Sequence, residues 1–135
     1  MYNDKICDHF MNPRNIGVLE KPDYIVEIGN PICGDTIHLY LEVKSKKVTD
    51  IKFQAYGCTG SIATASILSE VIKGSTFEEI SSYNKEFVTE SLGELEPSQM
   101  HCIDIGINIL SYSSEPWKHI KVKTDYLVEE GELVE

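Results

Sequence analysis

The run Thr36-Ile37-His38-Leu39-Tyr40-Leu41-Glu42-Val43 decides the fold. Ile37, Leu39, Leu41 and Val43 alternate with Thr36, His38, Tyr40 and Glu42, the period-two pattern of a strand with one buried and one wet face. Toward the N-terminus, Tyr24, Val26 and Ile28 alternate as another strand, ending near Gly29-Asn30-Pro31. Toward the C-terminus, Lys46-Lys47 reads as a hairpin turn, after which Ile51, Phe53 and Ala55 alternate with Asp50, Lys52 and Gln54. Connections this short predict a three-stranded antiparallel meander with one face toward a core.

The period then changes. From Ser61 to Lys73, Ala63, Ile67 and Val71 recur at four-residue spacing beside Leu68 and Ile72, predicting an amphipathic helix stopped by Gly74. Thr76 to Tyr83 predicts a shorter helix, with Thr76 and Glu79 spaced as a capping box. A further helix is expected from about Pro97 to about Tyr112, with Ile103, Ile107 and Leu110 on its apolar stripe. Ahead of the strands, Tyr2 to Phe10 reads as a short helix, followed by a turn over Met11-Asn12-Pro13-Arg14-Asn15. The expected class is α+β: a three-stranded antiparallel sheet with helices packed on one face and a metal site at the end of the sheet.

The chain has 135 residues, the size of one domain, expected to span 1–135. A formal net charge of −10, from twelve basic and twenty-two acidic residues, argues against nucleic-acid and membrane surfaces. The acidity itself reads as a solvated surface. No apolar run approaches membrane-spanning length, and no secretory pattern opens the sequence, so a cytoplasmic protein is expected. In a reducing compartment the four cysteines, Cys7, Cys33, Cys58 and Cys102, point to metal or catalysis rather than disulfides. No C-x-x-C pair occurs, which removes zinc fingers, thioredoxin-like motifs and ferredoxin-type strings.

Three of the cysteines fall at ends of elements. Cys33, with Gly34 and Asp35, lies between the first two strands; Cys58, between Gly57 and Thr59-Gly60, lies between the third strand and the long helix. His101-Cys102 falls in the opening turns of the last helix. Glycines there permit close approach to a bulky inorganic group, and helix starts favour thiolate over thiol. Three thiolates plus one weaker ligand, Asp35 or His101, would complete four positions around a [2Fe–2S] unit, and the hard ligand would loosen it as a carrier requires. Cys7, on the first helix without a partner near in sequence, reads as a small apolar core residue. His38 is expected on a solvent-exposed strand face, His9 and His119 have no evident constellation, and Trp117 reads as tail packing.

These motifs resemble the IscU/NifU-type iron–sulfur scaffold family. His9-Phe10-Met11-Asn12-Pro13-Arg14-Asn15-Ile16-Gly17 resembles its opening signature, and Gly29-Asn30-Pro31-Ile32-Cys33-Gly34-Asp35 its first ligand motif. Gly57-Cys58, leading into Ala63, Ala65 and Ser66, resembles the second, and His101-Cys102 the third. The resemblance implies a non-enzymatic scaffold that takes sulfur as persulfide from a cysteine desulfurase, takes ferrous iron, builds [2Fe–2S] and passes it to acceptor apo-proteins. It implies Cys33, Asp35, Cys58 and Cys102 as the site, His101 as an alternative ligand, Cys102 as the sulfur acceptor, and zinc in the cluster-free form. Cys58 and Cys102 are 44 positions apart, without room for the insertion of the SufU-like branch, and His101 is present, so the chain is similar to the IscU or NifU N-terminal type without NifU's further cluster domains. Where the family often carries Leu-Pro-Pro-Val-Lys, the read-out of an Hsp70-type chaperone, this chain has Leu95-Glu96-Pro97-Ser98-Gln99, which argues against that partner. Tyr2 matches an N-terminal tyrosine common in the family. The sequence leaves open whether one chain carries the cluster or a homodimer shares it. Two rivals compete: a zinc-binding module, and an enzyme with Cys58 or Cys102 as nucleophile, activated by His101 and oriented by Asp35.

Overall fold

A computed structural model describes residues 1–30 and 35–118, with the side chains of Asn30 and Asp35 outside the description. Helix α1 (Asp4–Met11) precedes strands β1 (Tyr24–Asn30), β2 (Asp35–Lys44) and β3 (Lys47–Tyr56). Helices α2 (Thr59–Ile72), α3 (Phe77–Ser82), α4 (Lys85–Leu92) and α5 (His101–Ser114) follow, with single 3₁₀ turns at Pro97–Gln99 and Pro116–Lys118. The strands form the expected antiparallel meander in the order β1-β2-β3, in a register that pairs Ile28 with Ile37 and Leu39 with Phe53. The alternation holds in space. Val26, Ile28, Ile37, Leu39, Leu41, Ile51 and Phe53 are buried on one face, which α2 and α5 cover. α1 lies on α2, and α3 and α4 lie on α5.

The β2–β3 turn sits one residue earlier than expected: Ser45 and Lys46 take the left-handed conformations (φ 54° and 64°) of a two-residue hairpin loop, and Lys47 already pairs with Lys44. Two positive-φ residues match the twist of the flanking strands, which turns of the opposite hand would splay.

The α2 segment departs from its expected amphipathic character. Gly60, Ser61, Ala63, Thr64, Ala65, Ser66, Ile67, Leu68, Ser69 and Ile72 are all buried, because α1, α5, α4 and β3 surround the helix. Small side chains allow that enclosure, and their hydroxyls need partners once inside. α5 meets α2 and α4 at Gly106, where an added Cβ would lie 2.7 Å from Val88 Cγ1 and 3.1 Å from Leu68 Cδ1.

The Thr76 box is present: Glu79 N–H donates to Thr76 Oγ1 at 3.0 Å and Thr76 N–H to Glu79 Oε1 at 2.8 Å. α4 did not show in the sequence pattern. It is eight residues long, capped by Asn84, whose Oδ1 accepts from Phe87 N–H at 2.9 Å, and it ends at Gly93 with φ 84°. The last helix starts later than expected, since Glu96 and Gln99 close a 3₁₀ turn on each other before α5 begins at His101.

Candidate metal centre

The start of α2 and the start of α5 meet at one end of the molecule. Cys58 is the N-cap of α2, with extended backbone and no side-chain capping bond, so its sulfur is left for other partners. Two polar groups reach that sulfur. Ser61 Oγ lies 3.3 Å away, and His101 Nε2, from α5, lies 3.6 Å away. The phenol of Tyr2 also hydrogen-bonds to Cys58. Burial, then the charge that Cys58 and Cys102 carry as thiolates, pushes that phenol above its ordinary value.

Cys102, the second residue of α5, is wholly buried. Its sulfur sits where a Cβ on Gly60 would be, and the same Cβ would stand 3.1 Å from Tyr2 Oη. Only glycine lets α2 approach the sulfur this closely. Cys58, by contrast, is half-buried, and Cys7, Cys58 and Cys102 are all thiols rather than disulfides.

The other expected ligands are only partly in view. Asp35 begins β2, and the adjacent pair Thr36–Tyr56 puts that strand end beside the end of β3, two residues before Cys58. The Asp35 side chain and all of Cys33 lie outside the described residues. Among the described residues no group of three or more His, Cys, Asp or Glu side chains gathers to hold a metal. The Cys58–His101 pair is what the described part contributes, and a sulfur with an imidazole is a donor set suited to iron or zinc.

Several expectations need correction. Cys7 is exposed rather than in the core; its Sγ lies 3.6 Å from the Tyr2 carbonyl, because α1 turns Ile6 and His9 toward the interior instead. His9 has a constellation after all: it is buried, with Nδ1 2.7 Å from Ser66 Oγ and Nε2 3.7 Å from Glu70. His38 is about one-third exposed, edge-on to Tyr56, with Glu27 3.9 Å away. Trp117 packs edge-on against Phe77, consistent with tail packing, while His119 falls outside the described residues. Ser61 was missed entirely. Its position three residues after Cys58, in the first turn of a helix, was the available signal.

Comparison with known proteins fixes the class. The family model described as "NifU-like N terminal domain" matches residues 1–124, and the chain belongs to that family. It is 41% identical over 140 aligned positions to the iron–sulfur cluster assembly scaffold protein IscU 1 of Archaeoglobus fulgidus, covering 100% of this chain and 92% of that one. It is 35% identical to the iron–sulfur cluster assembly scaffold protein IscU of Aquifex aeolicus, over 99% of this chain and 81% of the relative. The fold matches the crystal structure of a NifU-like N-terminal protein from Brucella abortus, with TM-score 0.59 and 21% identity, over 83% of this chain and 79% of that one. No described helix is long and apolar enough to cross a membrane.

Proposed function

We propose that this protein is an IscU-type iron–sulfur cluster assembly scaffold, which builds a labile [2Fe–2S] cluster as cargo and hands it to acceptor apo-proteins in the cytoplasm. One observation carries the reading: the starts of α2 and α5 bring Cys58, His101 and Cys102 to one end of the fold, with Gly60 as the clearance that lets Cys102 sit there. Scaffold names among relatives of nearly full length support it.

Cys33, Asp35, Cys58 and Cys102 would hold the cluster, with His101 the alternative to Asp35. Cys102 would accept sulfur from a cysteine desulfurase. Its thiolate attacks the outer sulfur of the donor's persulfide, the donor's S–S bond breaks, the donor leaves as thiolate, and Cys102 carries the new S–S bond. Chemistry of this kind makes the protein a carrier rather than an enzyme. Zinc is the expected guest of the same thiolates without a cluster. Sharing of one cluster by two copies fits the same ligand set, and the Glu96 and Gln99 substitutions favour delivery without the Hsp70-type chaperone.

Anaerobic reconstitution with ferrous iron, sulfide and thiol tests the reading. The expected product is brown protein with sulfur-to-iron charge-transfer bands, lost in Cys58→Ala. Colourless protein that keeps zinc would overturn it in favour of the zinc module. Mass spectrometry after incubation with a desulfurase and cysteine should find the added sulfur on Cys102. Sulfur on Cys33 or Cys58 instead would refute that assignment.

A further inference from the structure

We propose that Ser61 is a positioning residue of the cluster site, its buried hydroxyl donating to Cys58 Sγ and fixing both the pose and the electron density with which that sulfur meets metal. The inference rests on the scaffold reading for its purpose, but its geometry stands separately. Ser61 is wholly buried, and its Oγ is 3.3 Å from Cys58 Sγ, within reach of a hydrogen bond to sulfur. Placed three residues after Cys58, in the first turn of α2, it shares a helix face with that residue. His101 approaches the same sulfur from α5, so one thiolate is held from two helices.

The neighbouring serines argue that this contact is specific. Along α2, Ser66 Oγ meets His9 Nδ1 and accepts from Arg14 N–H, while Ser69 Oγ accepts from Asn15 Nδ2. Those two hydroxyls fasten the N-terminal segment to the helix. Ser61 stands at the other end and makes its contact with a candidate ligand. A hydrogen bond into a ligating thiolate draws charge from the sulfur, which makes sulfur-to-metal electron transfer harder and orients the lone pair that binds.

Cobalt(II), titrated anaerobically into the full apo chain, is the probe. Ser61→Ala should move the thiolate-to-cobalt charge-transfer band to lower energy and weaken cobalt binding by about tenfold. In a Cys58→Ser background the same substitution should leave any remaining sulfur band unmoved. A merely structural serine would lower the melting temperature without shifting the band. An unmoved band in Ser61→Ala, a shift that persists without Cys58, or a wild type that binds no cobalt would each overturn the proposal. If the wild type gives the cobalt response but takes up no iron–sulfur cluster, the scaffold reading fails and the role of Ser61 stands. If it takes up the cluster and Ser61→Ala changes nothing, the reverse holds.

Discussion

The two described cysteines of the candidate site occupy opposite environments. Cys58, at the mouth of α2, is half-buried, with a hydroxyl, an imidazole and a phenol around its sulfur. Cys102, at the mouth of α5, is sealed behind Gly60 and Tyr2. Both sit at helix starts, where the backbone favours thiolate. They differ in access. One sulfur is thus within reach of solvent and the other is not.

The most damaging way to break this contrast is Gly60→Ala. The new Cβ would occupy the space of Cys102 Sγ and press on Tyr2, so the seal must shift. We expect a loss of about 2 kcal/mol, typical of overpacking, together with faster labelling of Cys102 by a thiol reagent. Urea unfolding and site-resolved mass spectrometry would check both, and unchanged labelling would mean that Gly60 is not the seal. Gly106→Ala is the matched control, at the middle of α5, the helix that carries Cys102. It presses only on the ends of Val88 and Leu68, so we expect about 1 kcal/mol of destabilisation and no change in Cys102 labelling. An equal rise in labelling would show that general loosening of α5, not the local seal, exposes the sulfur.

How much of this could be read from the sequence follows from where the partners lie. The sheet was legible because Ile37, Leu39 and Leu41 write their burial into a period of two. The cysteines at the mouths of α2 and α5 were legible because glycine and helix signals flank them. α2 was misread as amphipathic because the partners of Ser66 and Ser69 are His9, Arg14 and Asn15, more than fifty residues away in sequence, which no local periodicity records. The same distance hid the setting of His9. Cys7 was misplaced because an eight-residue helix has too few apolar residues to mark its inner side: Ile6 and His9 take it, and a histidine does not look like a core residue. α4 escaped for a related reason, its buried residues being only Val88 and Leu92.

A smaller effect sharpens the contrast from the outside. Tyr2→Ala removes the phenol beside Gly60 and should raise Cys102 labelling by about threefold, an opening cheaper by on the order of 0.6 kcal/mol. Exposed Cys7 serves as the internal reference, and an unaltered ratio of Cys102 to Cys7 would show that Tyr2 does not guard the sulfur.

The smallest effect acts on what holds Tyr2 in place. The tyrosine stands two residues ahead of α1, which is fastened to α2 by buried His9, whose Nδ1 meets Ser66 Oγ at 2.7 Å. Burial disfavours the charged ring and holds its pKa below the ordinary 6.5; Arg14 and Lys5 act in the same direction, while Glu70 and Asp8 oppose. The unfolded chain therefore takes up this proton first as pH falls. The stabilisation from neutral His9 is complete above 6.5 and is lost as pH drops through the lower folded value. Melting temperature should accordingly fall between pH 7.5 and 5.5, and His9→Asn, an uncharged replacement with a polar tip, should flatten part of that slope. In the same range the ratio of Cys102 to Cys7 labelling should rise in the wild type and rise less in His9→Asn. If both proteins show the same slope and the same ratio, α1 is not held by this histidine, and the seal over Cys102 does not depend on its protonation.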